Sequence, residues 1–218
     1  MSSFAELARA PDPPLADLAL ALAAEFGRVD ARAARATLDG LGAELAEAVA
    51  PCGGDPAAEA SACAELLGGR HGFAGDREEY DHPHNSMLDR VLARRRGLPI
   101  LLSVVYVAVA ERAGVPLGGV GLPGHFVVGH FGAQPAVLLD PFAGGAPLDG
   151  GVDAHLVRPW AAGDIAMRML NNLVGSYQRR GDLGRAITAA RLRLEIPADA
   201  GMRKRLETEL GRLRARLN

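Results

Sequence analysis

The sequence predicts an α+β fold: a helical N-terminal layer, a core of one buried helix with several short strands, and a helical C-terminal tail. Three observations carry this. Every residue from Leu98 to Ala110 except Ser103 is apolar, aromatic or Pro99, and a helix apolar on all sides is buried on most of them. Three short runs follow, Leu117–Gly121, His125–Phe131 and Ala136–Asp140, separated by Pro and Gly in the manner of strands and their turns. On either side of this core the apolar residues recur at helical spacing.

Taken in order, Pro14 to Phe26 reads as a helix with proline near its start. Asp30 to Ala50 reads as one or two more, with Gly40 and Gly42 marking a candidate break. Asp55 is placed to cap a helix running to about Leu67 and ending at Gly68-Gly69. This Ala-rich portion is read as a layer covering the later core. His71 to Pro83 is a loop with a short turn. Asn85 or Ser86 then caps a helix to Arg96, with Leu88, Val91 and Leu92 as its apolar stripe and Gly97 as its stop. Arg94, Arg95 and Arg96 fall in its last turn, where cations complement the helix dipole, so a solvated helix end is expected there. Pro99 suits a first helical position because its missing N–H would have no intrahelical partner. Gly114 suits the left-handed residue that closes the same helix, with Pro116 beyond. In the second strand His125, Val127 and Gly129 share one face, and Phe126, Val128 and His130 the other.

Gly144 to Arg158 is turn-rich, and Trp160 is read as an anchor between tail and core. Within Ala162 to Asn218, Leu170, Leu173, Tyr177, Gly181, Ala186 and Pro197 have the spacing of a tetratricopeptide-like helix pair. A further helix from Met202 to Leu217 carries Leu206, Leu210, Leu213 and Leu217 on one stripe. One repeat cannot bury its own face, so the tail is expected to pack on the core or on a second chain. The expected division is a core domain over 14–160 and a helical tail over 161–218.

Composition narrows the function classes. A chain of 218 residues with 49% hydrophobic and 23% charged residues is ordinary for a water-exposed globular protein. The formal net charge of −2 gives no electrostatic case for nucleic acid. The thirteen residues Leu98 to Ala110 are too few to span a bilayer, which takes about 20, so no membrane association is expected. Cys52 and Cys63 are the only cysteines and support neither a disulfide framework nor a metal site. The short, proline-broken start is unlike a secretory leader, and a cytoplasmic location is expected. Among six histidines, His82, His84, His125 and His130 are the ones that could gather. His-Pro-His is not a zinc spacing on a helix, and His125 and His130 face opposite ways, so no metal or other cofactor is expected.

Several motifs occur together in order: NSMLDRVLARRRGLPI, GVGLPGHFVV and DPFAGG. With the buried helix after Gly97, they resemble the SirB-type branch of the transglutaminase-like (papain-like) superfamily, whose members carry a tetratricopeptide-like segment after the core. The resemblance covers roughly residues 15 to 197 and implies a helix packed on an antiparallel sheet. It also implies a Cys-His-Asp triad: a Cys opening the buried helix, where the helix N-terminus lowers its pKa, a His pairing with the thiolate, and an Asp orienting the imidazole. His125 and Asp140 match the last two members. The Cys position falls at Pro99, which has no sulfur and no N–H for an oxyanion hole.

The resulting expectation is a non-classical member whose His125 cleft takes a small-molecule or peptide ligand and whose tail contacts another protein. Asn85 and Ser103 are the candidate ligand-binding residues, Asn85 through the Asn-Ser element and Ser103 one helical turn beyond Pro99. The rival expectation is a hydrolase or acyl transferase that keeps His125 and Asp140 and draws its nucleophile from Ser103, Ser86 or a substrate thiol.

Overall fold

The computed structural model describes residues 2–148 and 151–216. Helices α1 (Phe4–Ala8), α2 (Leu15–Ala24), α3 (Ala31–Val49) and α4 (Pro56–Cys63) come first. The starts of α1, α3 and α4 are set by side chains that accept otherwise orphaned N–H groups. Ser3 and Glu6 form a capping box on α1, and Asp30 and Asp55 accept from the N–H of Ala33 and Ala58. Next come β1 (Ala74–Gly75), a 3-10 turn at Pro83–Ser86, α5 (Leu88–Arg94), β2 (Arg96–Gly97) and α6 (Pro99–Ala113). Strands β3 (Leu117–Leu122), β4 (His125–His130), β5 (Val137–Asp140) and β6 (Ala146–Pro147) follow. The chain then turns helical again with α7 (Ala162–Arg179), α8 (Leu183–Leu192) and α9 (Ala200–Ala215).

Strands β3 to β6 form one antiparallel sheet in sequence order, while β1 and β2 make a separate parallel pair. Helix α6 lies between this sheet and α3. Eleven of its fifteen residues are buried, which is why its sequence is apolar all round. It starts on Pro99 and closes on Gly114 at φ 73°, as the sequence predicts. The faces of β4 separate as expected: Phe126 and Val128 enter the main core, and Val127 joins a smaller cluster with Val120 and Leu138.

Four local expectations are corrected. Helix α3 runs unbroken through Gly40 and Gly42. A Cβ on Gly42 would lie 2.5 Å from the Arg112 Cβ, so this glycine permits close approach to α6 rather than a break. The helix begun by Asp55 does not end at Gly68-Gly69, but continues as a π-helix over Ala64–Arg70. The helix read to Arg96 ends at Arg94, and its Arg triplet, though exposed, is not only a solvated helix end. Arg94 bonds Asp76 and Asn85, Arg95 takes a left-handed φ of 56°, and Arg96 enters β2. The loop His71–Pro83 contributes β1, which pairs with β2.

The tail packs on the rest of the chain. Phe26 and Tyr177 stack with ring centroids 5.5 Å apart, Ser176 donates to the Asp81 carbonyl, and Arg179 pairs with Asp81. Leu170, Leu173, Tyr177 and Ala186 are buried, and Gly181 turns the pair at φ 74°. Leu206, Leu210 and Leu213 form the buried stripe of α9; Leu217 lies outside the described residues. Trp160 takes the Gly119 carbonyl on its own N–H and stands edge-on to Phe126. Among the described residues no helix is long and apolar enough to cross a membrane.

Candidate active site

Because β4 and β5 are antiparallel, the first residue of one and the last of the other meet at one end of the sheet. These are His125 and Asp140. The His125 Nε2–H donates to Asp140 Oδ2 at 3.0 Å, and Asp140 Oδ1 accepts from the Phe142 N–H at 2.9 Å. The backbone bond holds the carboxylate, and the carboxylate sets the ring's orientation and tautomer. Nδ1 makes no hydrogen bond among the described residues, and the side chain is 30% exposed. That nitrogen faces outward chemistry, binding or proton transfer, without a protein partner.

The surroundings come from distant segments. Arg168 on α7 donates to the carbonyls of His125 (2.8 Å) and Leu122 (3.2 Å), clamping the turn between β3 and β4. Its guanidinium lies over Phe126 and Trp160. Burial lowers its pKa. Phe142 stands edge-on to His125 with centroids 6.3 Å apart, Tyr80 stands edge-on to Phe142, and Arg77 lies over the Phe142 ring. Tyr80 is 46% exposed, so the pair opens onto an aromatic ridge.

The other candidates are placed differently. Pro99 is buried at the first position of α6. Asn85 sits beside it, since its carbonyl accepts from the Leu98 N–H at 3.0 Å. Its side chain is fully buried and engaged. Nδ2 donates to the carbonyls of Glu79 (2.7 Å) and Tyr80 (3.3 Å), and Oδ1 accepts from Arg94 (2.7 Å). Asn85 therefore holds the loop that presents Tyr80. Ser103 is fully buried, and its Oγ makes no hydrogen bond among the described residues. Ser86 is 1% exposed. Neither serine bonds His125.

Neither cysteine bonds the imidazole. Cys63 is buried, and burial first, then Glu59 and Cys52, push its thiol up to about 12. A thiol that stays protonated at neutral pH is a poor nucleophile. The histidines do not gather: His130 is 1% exposed and bonds Glu59 at 2.8 Å, and His82 and His84 pair edge-on with each other. Among the described residues no group of three His, Cys, Asp or Glu is placed to hold a metal ion.

Two features of the site were missed at the sequence level. Arg168 gives no local signal, because its role is to reach carbonyls more than forty residues away. Phe142 lies inside the DPFAGG motif, yet only packing shows its purpose. A Cβ on Gly75 would fall 2.3 Å from the Phe142 ring. Gly75→Ala is thus expected to push Phe142 off His125 and to lower stability by about 1–3 kcal/mol. Thermal unfolding and the His125 ring resonances would check this; an unmoved ring shift would contradict it.

The chain was compared with known proteins. The model of the transglutaminase-like superfamily matches residues 32–171. A UPF0162 protein of Xylella fastidiosa (strain Temecula1 / ATCC 700964) is 43% identical over 137 residues, 55% of this chain and 49% of that protein. A UPF0162 protein of Vibrio cholerae is 32% identical over 93 residues, 42% of this chain and 33% of that protein. F-box only protein 21 of Mus musculus is 39% identical over 70 residues, 32% of this chain and 11% of that protein. The chain spans half or less of the length of these curated relatives. No solved structure matches it significantly. The family match covers more than half of the sequence and takes in α6, the sheet, His125 and Asp140, so the chain belongs to the transglutaminase-like superfamily.

Proposed function

We propose that this is a binding or regulatory member of the superfamily, of the SirB type with a tetratricopeptide-like tail, that grips a ligand at His125 without cutting or joining it. One observation carries the reading: the first residue of α6 is proline. Acyl transfer of the superfamily's kind needs a thiolate there and a backbone N–H to stabilise the oxyanion, and Pro99 has neither. The aromatic ridge of His125, Phe142 and Tyr80, with Arg77 above it, supports a peptide or small-molecule ligand: exposed rings give contact area and Nδ1 an adaptable polar contact. A protein partner is assigned to the polar outer face of the tail, where Arg203, Lys204, Arg205 and Arg212 are exposed. A cytoplasmic setting fits the two free cysteines.

The rival, a hydrolase or acyl transferase working through His125 and Asp140, is favoured by the unpartnered Nδ1. One experiment separates the two. Purified protein is given a glutamine peptide with an amine acceptor, an activated ester and a thioester, while the His125 ring is followed by NMR. Binding is expected to shift the ring resonances with no turnover above the uncatalysed rate. Turnover that disappears in His125→Ala, with unfolding temperature unchanged, establishes the rival.

A further inference from the structure

A cavity lies away from His125, where the end of α2, the segment 82–90 and the turn between α7 and α8 come together. It holds about 380 Å³, within the range of small-molecule sites. Its apolar wall includes Phe26 and Tyr177, stacked at 5.5 Å with planes 23° apart. Its rim carries Arg28, Arg90, Arg180 and Arg185 against two carboxylates, Asp89 and Asp182. Arg185 is tied to Asp182 at 3.0 Å, and Arg90 lies 3.4 Å from Asp89. Arg28 and Arg180 are exposed and have no ion-pair partner among the described residues. Such a concentration of guanidinium groups stands out in a chain of net charge −2.

We infer that this cavity binds a nucleotide-sized organic phosphate, with its phosphates on Arg28 and Arg180 and a planar ring against Phe26. Guanidinium forks match phosphate oxygens two at a time. Asp89 adds a demand of its own. The residue lines the cavity and its side chain is 17% exposed, so its carboxylate accepts from a donor that a bare anion lacks: a sugar hydroxyl or an exocyclic amine. His84 on the rim is consistent with a positive cavity. Partial burial first, then the positive charge of His82, Arg90 and Arg94, holds its imidazole below the usual value. The cavity shares no residue with the His125 site, so this inference stands or falls apart from the proposed function.

The test is isothermal titration of the full chain with ADP, GDP, CDP and UDP, beside inorganic phosphate and adenosine. At least one diphosphate is expected to bind saturably at one site, about tenfold or more tighter than phosphate or adenosine. The double variant Arg28→Ser, Arg180→Ser is expected to weaken it by about tenfold or more with the unliganded melting temperature unchanged, since both side chains are exposed and unpaired. Three results each overturn the inference: no saturable binding by any of the four, affinity unchanged in the double variant, or inorganic phosphate binding as tightly as the best nucleotide.

Discussion

A chain carrying Gly68→Ala is expected to melt about 10 °C or more below the unsubstituted protein, or to fail to fold. Gly68 lies in the π-helix after α4, where a Cβ would sit 1.8 Å from the Gly144 carbonyl oxygen and 2.5 Å from its carbon. Both obstacles are backbone, so no rotamer change relieves the clash. Gly144 and Gly145 hold positive φ (71° and 84°), and a Cβ on Gly145 would meet Ala64 and the Tyr106 hydroxyl at 2.8 Å. The DPFAGG turn is therefore locked between the π-helix and α6, with Asp140 at its start. A loss of about 4 kcal/mol or more is expected, the size reserved for a few mechanisms of which backbone clash is one. Gly40→Ala is the control. Gly40 is an exposed helical glycine with nothing within 4 Å of its Cβ position, so alanine there is expected to stabilise by about 0.5–1 kcal/mol. Thermal unfolding of both variants checks the pair; Gly68→Ala melting within a few degrees of the parent would refute the packing argument.

The second large effect is expected at Arg94. Its guanidinium donates to Asp76 Oδ2 and Asn85 Oδ1, each at 2.7 Å, and both acceptors are buried. Arg94→Ala leaves Asp76 Oδ2 and Asn85 Oδ1 without the Arg94 donor, while Asp76 Oδ1 keeps the Glu79 N–H, at a cost of about 2–3 kcal/mol after allowing for the third of the Arg94 side chain that is exposed. It also frees the loop that carries Tyr80. The pH dependence has a definite sign. Burial pushes the Asp76 carboxyl up, but the Glu79 N–H, Arg94 and Asn85 together outweigh it and the net shift is downward. A carboxyl with a depressed folded pKa contributes stability that is present above its unfolded value, about 3.9, and lost as pH falls through the folded value. The gap between parent and Arg94→Ala in urea midpoint is thus expected to be full at pH 7 and to narrow below about pH 4. A gap as wide at pH 3 as at pH 7 would show that Arg94 acts through packing alone.

Much of this molecule was legible from one dimension. Pro99 and Gly114 mark the ends of α6 because starting and stopping a helix are local backbone problems, one of a missing N–H and one of a positive φ. The edges of β3, β4 and β5 were legible for the same reason. His125 and Asp140 could be paired in advance only through the family resemblance; the antiparallel register of β4 and β5 is what brings one strand's start to the other's end.

The misread residues are those whose partners lie far along the chain. Gly42 and Gly68 look like helix breakers but serve as sites of close approach, and that difference exists only once Arg112 or Gly144 is opposite. Arg94 is the helix-end cation it looks like, but its bonds to Asp76 and Asn85 appear only in the folded chain. The sequence by itself determined where α6 and strands β3 to β5 begin and end, to within a residue, and that no sulfur or N–H stands at the head of the buried helix. Only the tertiary structure decided which glycines are contacts, which arginines are clasps, and that Asn85 and Ser103 are enclosed. Capping and turn chemistry are settled within a few residues, whereas burial and pairing are properties of segments that meet only after the chain has closed on itself.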